Sequence, residues 1–289
     1  MYDDILVPFD GSDGATAVLD HVSEIANTAD ATVHVLFVAD TTRDSVTVVG
    51  GETVDALVEQ GETVVEEAER VLVSNDVDYE TDVIQGNPPS EIPEYAERYG
   101  HDLIVMSTHG RQGISRFLLG SVTEKVVRLS SVPVLTARMH PDERLAFPYE
   151  NVLLPTDGSP GATAAVEHGL GLASALGATV HALSVVDDRS LGLDVRSAEA
   201  AESGTEAADE ALDDVVSRAD AYDIDEVVRH RERGSPVEGI LDTIDEDDID
   251  AVVMGTVGRT GTDRITLGSV AEKTVRSAPV PVITVRTNE

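Results

Sequence analysis

Residues 250–258 read Asp250-Ala251-Val252-Val253-Met254-Gly255-Thr256-Val257-Gly258. From Ala251 to Met254 the run is apolar at odd and even positions alike, so a strand built from it is buried on both faces, as in a parallel sheet covered by helices. The glycines that follow permit positive φ and let another group approach the backbone closely. The same pattern stands 148 residues earlier as Asp102-Leu103-Ile104-Val105-Met106, followed by Ser107-Thr108-His109-Gly110. The correspondence spreads in both directions. Upstream, Pro8-Phe9-Asp10-Gly11-Ser12 matches Pro155-Thr156-Asp157-Gly158-Ser159, and Thr32-Val33-His34 matches Thr179-Val180-His181, both at an offset of 147. After one inserted residue, Gly86-Asn87-Pro88 matches Gly234-Ser235-Pro236, and Leu119-Gly120-Ser121-Val122 matches Leu267-Gly268-Ser269-Val270.

Two copies of one domain therefore account for the 289 residues, with boundaries expected at 1–140 and 150–289 and a polar, Pro-containing linker at 141–149. In copy one the pattern predicts strands near 3–8, 31–38, 80–85, 102–106 and 132–137, and helices near 13–28, 53–75, 89–98 and 121–130. Strict alternation of strand and helix implies right-handed βαβ units and an α/β fold of two tandem, doubly wound, parallel five-stranded sheets flanked by helices. Ligands bind such sheets beyond the carboxyl ends of the strands, where the winding reverses.

Composition narrows the chemistry. The absence of cysteine excludes disulfides, thiolate zinc sites, thiol nucleophiles and iron–sulfur clusters. The opening MYDDILVPFD lacks the basic start and apolar core of a signal peptide, and no apolar run approaches the ~18 residues of a membrane span, so a cytoplasmic protein with no membrane partner is expected. The net charge is −35, and only two of the 20 basic residues are lysines, Lys125 and Lys273. Nucleic acid is an unsuitable partner for such a surface. The composition resembles that of cytoplasmic proteins from salt-accumulating archaea, in which concentrated salt screens self-repulsion.

Two segments run against this acidity. Residues 107–128 carry a net +3 and 255–276 a net +2, leaving −40 on the other 245 residues. Each holds one of the lysines together with arginines (Arg111, Arg116 and Arg128; Arg259, Arg264 and Arg276). Each also contains a Gly-Ser step opening a helix, where free N–H groups and the positive end of the helix dipole favour an anion. A structural reading competes, because Ser121-x-x-Glu124 and Ser269-x-x-Glu272 both fit a capping box that would consume part of the donor set, and Glu124 with Arg128, like Glu272 with Arg276, fits an i,i+4 pair. Ser12 and Ser159 likewise suit ordinary N-caps as well as site residues. Neither loop is a Walker A sequence or a GxGxxG fingerprint.

The spacing Gly255-x-x-Gly258, nine residues, Gly268-Ser269 resembles the nucleotide signature of the universal stress protein family. The resemblance covers the chain twice and includes the Pro-x-Asp-Gly-Ser strand end, the Gly-x-Pro step, Gly-Ser-Val-x-Glu-Lys and the closing Val132-Pro133-Val134 or Val280-Pro281-Val282. It implies an adenine-nucleotide alpha-hydrolase-like, Rossmann-like fold that holds ATP, which Mg²⁺ could accompany. The site would be a cleft between the first and fourth strands. Carried onto this sequence, it places adenine and ribose near Pro155, Thr156, Asp157 and Val186, and ribose and phosphates along Met254, Gly255, Gly258, Gly268, Ser269 and Val270. The matching positions in copy one are Pro8, Phe9, Asp10, Val38, Met106, Gly110, Gly120, Ser121 and Val122. Copy one departs from the pattern at Ser107, in place of the first signature glycine, and at Phe9, in place of a small or polar residue, so copy two is the expected site.

No catalytic pattern is legible among the eight histidines, and no metal-ligand set. His109 aligns with Val257, so it has no role shared by both copies. The expectation is an ATP-binding stress or regulatory protein that is not an enzyme. The alternatives are a dimerising interaction module without nucleotide and, behind it, a slow ATPase. The resemblance further implies an intrachain pseudo-dimer paired through the last strands of the two copies. Whether chains assemble further into a homo-oligomer is left open.

Overall fold

A computed structural model describes residues 1–41, 52–108, 119–138, 143–187, 196–258 and 267–287, with the side chains of 52–57 and 196–201 left aside. The chain divides into two compact units, Tyr2–Pro141 and Asp142–Glu289, the latter joined by Met1.

The first unit runs β1 (Asp4–Pro8), α1 (Asp13–Ala29), β2 (Thr32–Asp40), α2 (Glu52–Ser74), β3 (Tyr79–Gly86), α3 (Pro88–Tyr99), β4 (Leu103–Ser107), α4 (Ser121–Leu129) and β5 (Val134–Ala137). The second repeats the order with β6 (Asn151–Pro155), α5 (Pro160–Leu176), β7 (Thr179–Val186), α6 (Arg196–Ala219), β8 (Val227–Arg233), α7 (Pro236–Glu246), β9 (Ala251–Gly255), α8 (Ser269–Ser277) and β10 (Val282–Val285). Within the units the strand orders are β3-β2-β1-β4-β5 and β8-β7-β6-β9-β10, and every pairing is parallel. Among the described residues no helix is long and apolar enough to cross a membrane.

Burial follows the sequence pattern. Ile5, Leu6, Leu103, Ile104, Val152, Leu153, Ala251, Val252 and Val253 are all fully buried, as strands sandwiched between helices require. The polar strands β3 and β8 are largely exposed. The last strands begin two residues later than expected because Pro133 and Pro281 have no N–H for the ladder. Their carbonyls still accept hydrogen bonds from Ile104 and Val252. Part of the expected linker packs on the second unit, since the Arg144 N–H donates to the Pro279 carbonyl and Tyr149 is 2% exposed. Residues 139–142 lie outside the described residues.

Alternation along the strands decides which face each helix covers. In the second unit Leu154 and Val253 point to α5 and Val186 points to α6, where Cβ atoms built on Gly169 and Gly204 would strike them. Val185 points the opposite way, to Gly239 of α7. Helices α5 and α6 thus cover one face and α7 and α8 the other, and the switch between them falls at β6 and β9.

Candidate functional site

A cleft of about 630 Å³ opens beyond the carboxyl ends of β6, β7 and β9 in the second unit. Each wall follows from local sequence. The β6 end contributes Pro155, Thr156 and Asp157. Gly158, at φ 71°, turns the chain so that Ser159 caps α5, its hydroxyl accepting from the Ala162 N–H at 3.3 Å. The Asp157 Oδ1 accepts from the Ser159 N–H at 3.0 Å, which fixes the carboxylate at the rim. Ser12 and Asp10 repeat both contacts in the first unit. The capping reading of Ser12 and Ser159 therefore holds.

The β9 end contributes Met254, Gly255, Thr256, Val257 and Gly258. A Cβ on Gly255 would lie 2.6 Å from the Gly161 carbonyl oxygen, and one on Gly258 would lie 2.8 Å from Asp157 Oδ2. Both glycines are thus required for the start of α5 and the aspartate to come this close.

The capping boxes expected at Ser121 and Ser269 do not form. The N-caps are Gly120 and Gly268, neither with a side-chain cap bond, and the serines occupy the first helical position. Glu124 and Glu272 fall one position too late to complete the box, their N–H groups bonding the Gly120 and Gly268 carbonyls at 2.9 Å. The Gly268 N–H donates to the Thr256 carbonyl at 2.8 Å, locking the helix start against the end of β9. Helix α8 thus presents its first N–H groups with no capping side chain across them, beside Lys273 in the same cleft. The Glu272–Arg276 ion pair does form, at 2.6 Å.

The opposite wall is apolar, made by Leu183, Val185, Pro236, Val237 and Ile240. The cleft therefore grades from an apolar slot to an anion-accepting helix start, with the Asp157 carboxylate at the β6 end. This donor set fits an adenine nucleotide, whose flat base, hydroxylated sugar and polyphosphate demand those three environments in turn.

Of the ten residues expected in copy two, nine line the cleft: Pro155, Thr156, Asp157, Met254, Gly255, Gly258, Gly268, Ser269 and Val270. Val186 is the exception, since its side chain faces α6. The register shows why. Pro8 pairs with Leu36 and Pro155 with Leu183, so Val38 corresponds to Val185, and it is Val185 and Asp187 that line the cleft. The expected assignment slipped by one residue, which in a strand reverses the face. Sequence reasoning also missed Lys273 and the first turn of α7 as site residues, although the repeated Gly234-Ser235-Pro236 and the lone lysine were both signals.

In copy one, Pro8, Phe9, Asp10, Met106, Gly120, Ser121 and Val122 stand at the ends of β1 and β4 and the start of α4, as their counterparts do in copy two, and Val38 stands in β2 at the place of Val185. Gly110 lies outside the described residues, as do His109, Arg111, Arg116, Arg259 and Arg264.

A doubly wound α/β unit with a helix start free of any side-chain cap at its switch point, present twice, defines the class, and comparison with known proteins agrees. The profile of the universal stress protein family matches residues 1–138 and again 148–286. A universal stress protein of Methanocaldococcus jannaschii is 34% identical over 141 residues, covering 48% of this chain and 83% of its own. One of Bacillus subtilis is 32% identical over 148 residues, covering 48% of this chain and all of its own. The crystal structure of a universal stress protein from Archaeoglobus fulgidus is 26% identical, with a TM-score of 0.75, over 99% of this chain and 98% of that one. The chain belongs to the universal stress protein family, with two tandem copies of its domain.

Proposed function

We propose that the second unit binds ATP and that the protein is a nucleotide-dependent stress-response regulator that turns over no substrate. The observation that carries this reading is the uncapped start of α8 at Gly268-Ser269, opening with Lys273 onto a cleft whose far wall is apolar. The N–H groups and dipole of α8 would hold phosphate oxygens, Asp157 would take ribose hydroxyls, and Val185 with the first turn of α7 would flank the base. Mg²⁺ would ride on the phosphates and water, with Asp157 and Asp187 the carboxylates nearest to hand.

Among the described residues lining the cleft no histidine stands as a general base, which supports binding without turnover. The acidic charge outside the two basic segments supports a protein that works in concentrated salt, in the cytoplasm, and away from nucleic acid. For copy one a second reading is favoured by Phe9, which is 2% exposed where Thr156 lines the cleft: an interaction module without nucleotide.

The test is to purify the protein in high salt, denature it and identify the released small molecules by mass spectrometry, with calorimetry of ATP on the emptied protein. Adenine nucleotide at one per chain is expected. Gly268→Val should abolish binding, because a Cβ there lies 3.0 Å from the Thr256 carbonyl oxygen and displaces the helix start. No released nucleotide and no heat of ATP binding would end this reading, and phosphate release well above background would end the non-enzymatic part of it.

A further inference from the structure

Away from the nucleotide cleft, nearer the amino ends of the strands, two histidines and an aspartate converge. His181 is the third residue of β7, His230 lies on the neighbouring β8, and Asp247 ends α7. His181 Nδ1 and His230 Nε2 face each other at 3.1 Å. Two nitrogens bound at ~2.05 Å to a tetrahedral zinc are about 3.3 Å apart, so this pair, now nearly parallel and hydrogen-bonded ring to ring, has the spacing for one ion once the rings turn their lone pairs to a common point. The Asp247 Oδ2 lies 3.7 Å from the His230 ring nitrogen Nδ1, and one ligand atom from each of the three residues falls within 4.8 Å of the others. That His230 nitrogen is the one turned away from His181, so for the carboxylate to serve as third ligand its side chain must turn toward the gap between the two rings.

Surroundings favour a cation. If Nδ1 of His181 binds metal, its proton sits on Nε2, and that atom lies 3.4 Å from the Asn151 Oδ1 acceptor, which would hold the ring in that tautomer. Asp247 is the C-cap of α7, at the negative end of its dipole. The adjacent Asp245 and Asp248 are engaged by Arg144 at 3.6 and 3.9 Å, leaving Asp247 as the carboxylate on the histidine side. His181 is buried and His230 and Asp247 are partly exposed, so the place is enclosed on the sheet side with an entry path for an ion.

We infer that His181, His230 and Asp247 form a divalent transition-metal site, with water completing the coordination. Two imidazoles and one carboxylate suit zinc and its neighbours in the first transition row better than calcium or magnesium, which prefer all-oxygen sets. Among the described residues the first unit has no such trio: His34, equivalent to His181, lies 2.8 Å from Asp4 and 3.6 Å from Glu80, and Asp82 stands where His230 stands. Helix α7 would join the two sites of the second unit, its first turn lining the cleft and its end holding the metal.

The full chain, stripped with chelator and kept in concentrated KCl to screen its surface carboxylates, is titrated with ZnCl₂ by calorimetry and with CoCl₂ by visible absorption. One ion per chain and an intense tetrahedral cobalt band are expected. Asp247→Asn and His230→Gln should each weaken zinc by about 100-fold and Asn151→Ala by about 10-fold, while His34→Gln changes nothing. Asp247→Asn, at a partly exposed helix end, tests the site without touching the core, and circular dichroism of each variant confirms the fold. Absence of binding, or binding unchanged by Asp247→Asn and His230→Gln, would overturn the inference, as would its loss in His34→Gln.

Discussion

The two units share a chain trace and differ in what stands at the switch point. Their helix starts are alike: Gly120 and Gly268 each donate to the preceding threonine carbonyl at 2.8 Å, and neither carries a side-chain cap. Three positions around that shared frame change in the same direction. Thr156, Gly255 and Ala271, which line the cleft of the second unit, correspond to Phe9, Ser107 and Thr123 in the first. Each replacement is larger. The Thr123 hydroxyl is further committed to the Ser107 carbonyl at 2.9 Å. The difference teaches that duplication preserved the uncapped helix start twice, while the side chains set around it are bulkier in the first unit than in the second.

The most damaging way to probe this comparison is to give the second unit the first unit's side chain. Thr156→Phe should fill the cleft and weaken ATP by at least about 100-fold, about 2.7 kcal/mol, measured by calorimetry. Unchanged affinity would mean that the nucleotide, if bound, does not use this cleft. The reverse exchange is the sharper test. Phe9→Thr, Ser107→Gly and Thr123→Ala together should raise the stoichiometry from one nucleotide per chain to two, the new site within about 10-fold of the old, about 1.4 kcal/mol. Failure of the triple variant to bind while remaining folded would show that other positions also separate the copies.

How much of this was legible depends on where the signal sits. The buried runs of β4 and β9 and the Pro-x-Asp-Gly-Ser strand ends fix the topology, because local period and loop chemistry agree and the chain states them twice. Val186 misled because the repeat offset is 147 through β7 and 148 from β8 onward, and an error of one residue in a strand exchanges its faces. The capping boxes misled for a different reason. Ser-x-x-Glu looks the same whether serine is the N-cap or the first helical residue, and only the extended backbone of Gly268, at ψ 142°, tells them apart. His181 and His230 are 49 residues apart on neighbouring strands, so no spacing motif could announce them.

Away from the clefts the two cores should respond alike, and His21 and His168, which stand at equivalent places in α1 and α5, test that. Burial lowers both to about 4 from the ordinary 6.5. The folded state resists protonation that the unfolded chain accepts, so their contribution to stability is complete above pH 6.5 and is lost as the pH falls from there toward 4. For His21, 3% exposed, the loss should reach about 3 kcal/mol. His168 keeps more solvent access and should lose less. Denaturant unfolding at pH 7 and 4.5, comparing the protein with His21→Gln, isolates the histidine's contribution, and an identical pH slope in both would refute it.

The smallest expected effect asks whether the serines at the β1 and β6 ends serve the helix alone. Ser12 and Ser159 accept from Ala15 and Ala162 at 3.2 and 3.3 Å with nearly the same backbone angles, so Ser→Ala at either should cost about 1 kcal/mol of its own unit's stability. Ser159 also lines the cleft, and its N–H holds Asp157 in place. Because that bond comes from the backbone, Ser159→Ala should leave the Asp157 carboxylate where it is and change ATP affinity by less than about 3-fold, under 0.7 kcal/mol. A larger loss at Ser159, matched by none in stability beyond that of Ser12→Ala, would mean that the hydroxyl itself reaches the nucleotide and that the cap bond is exchanged on binding.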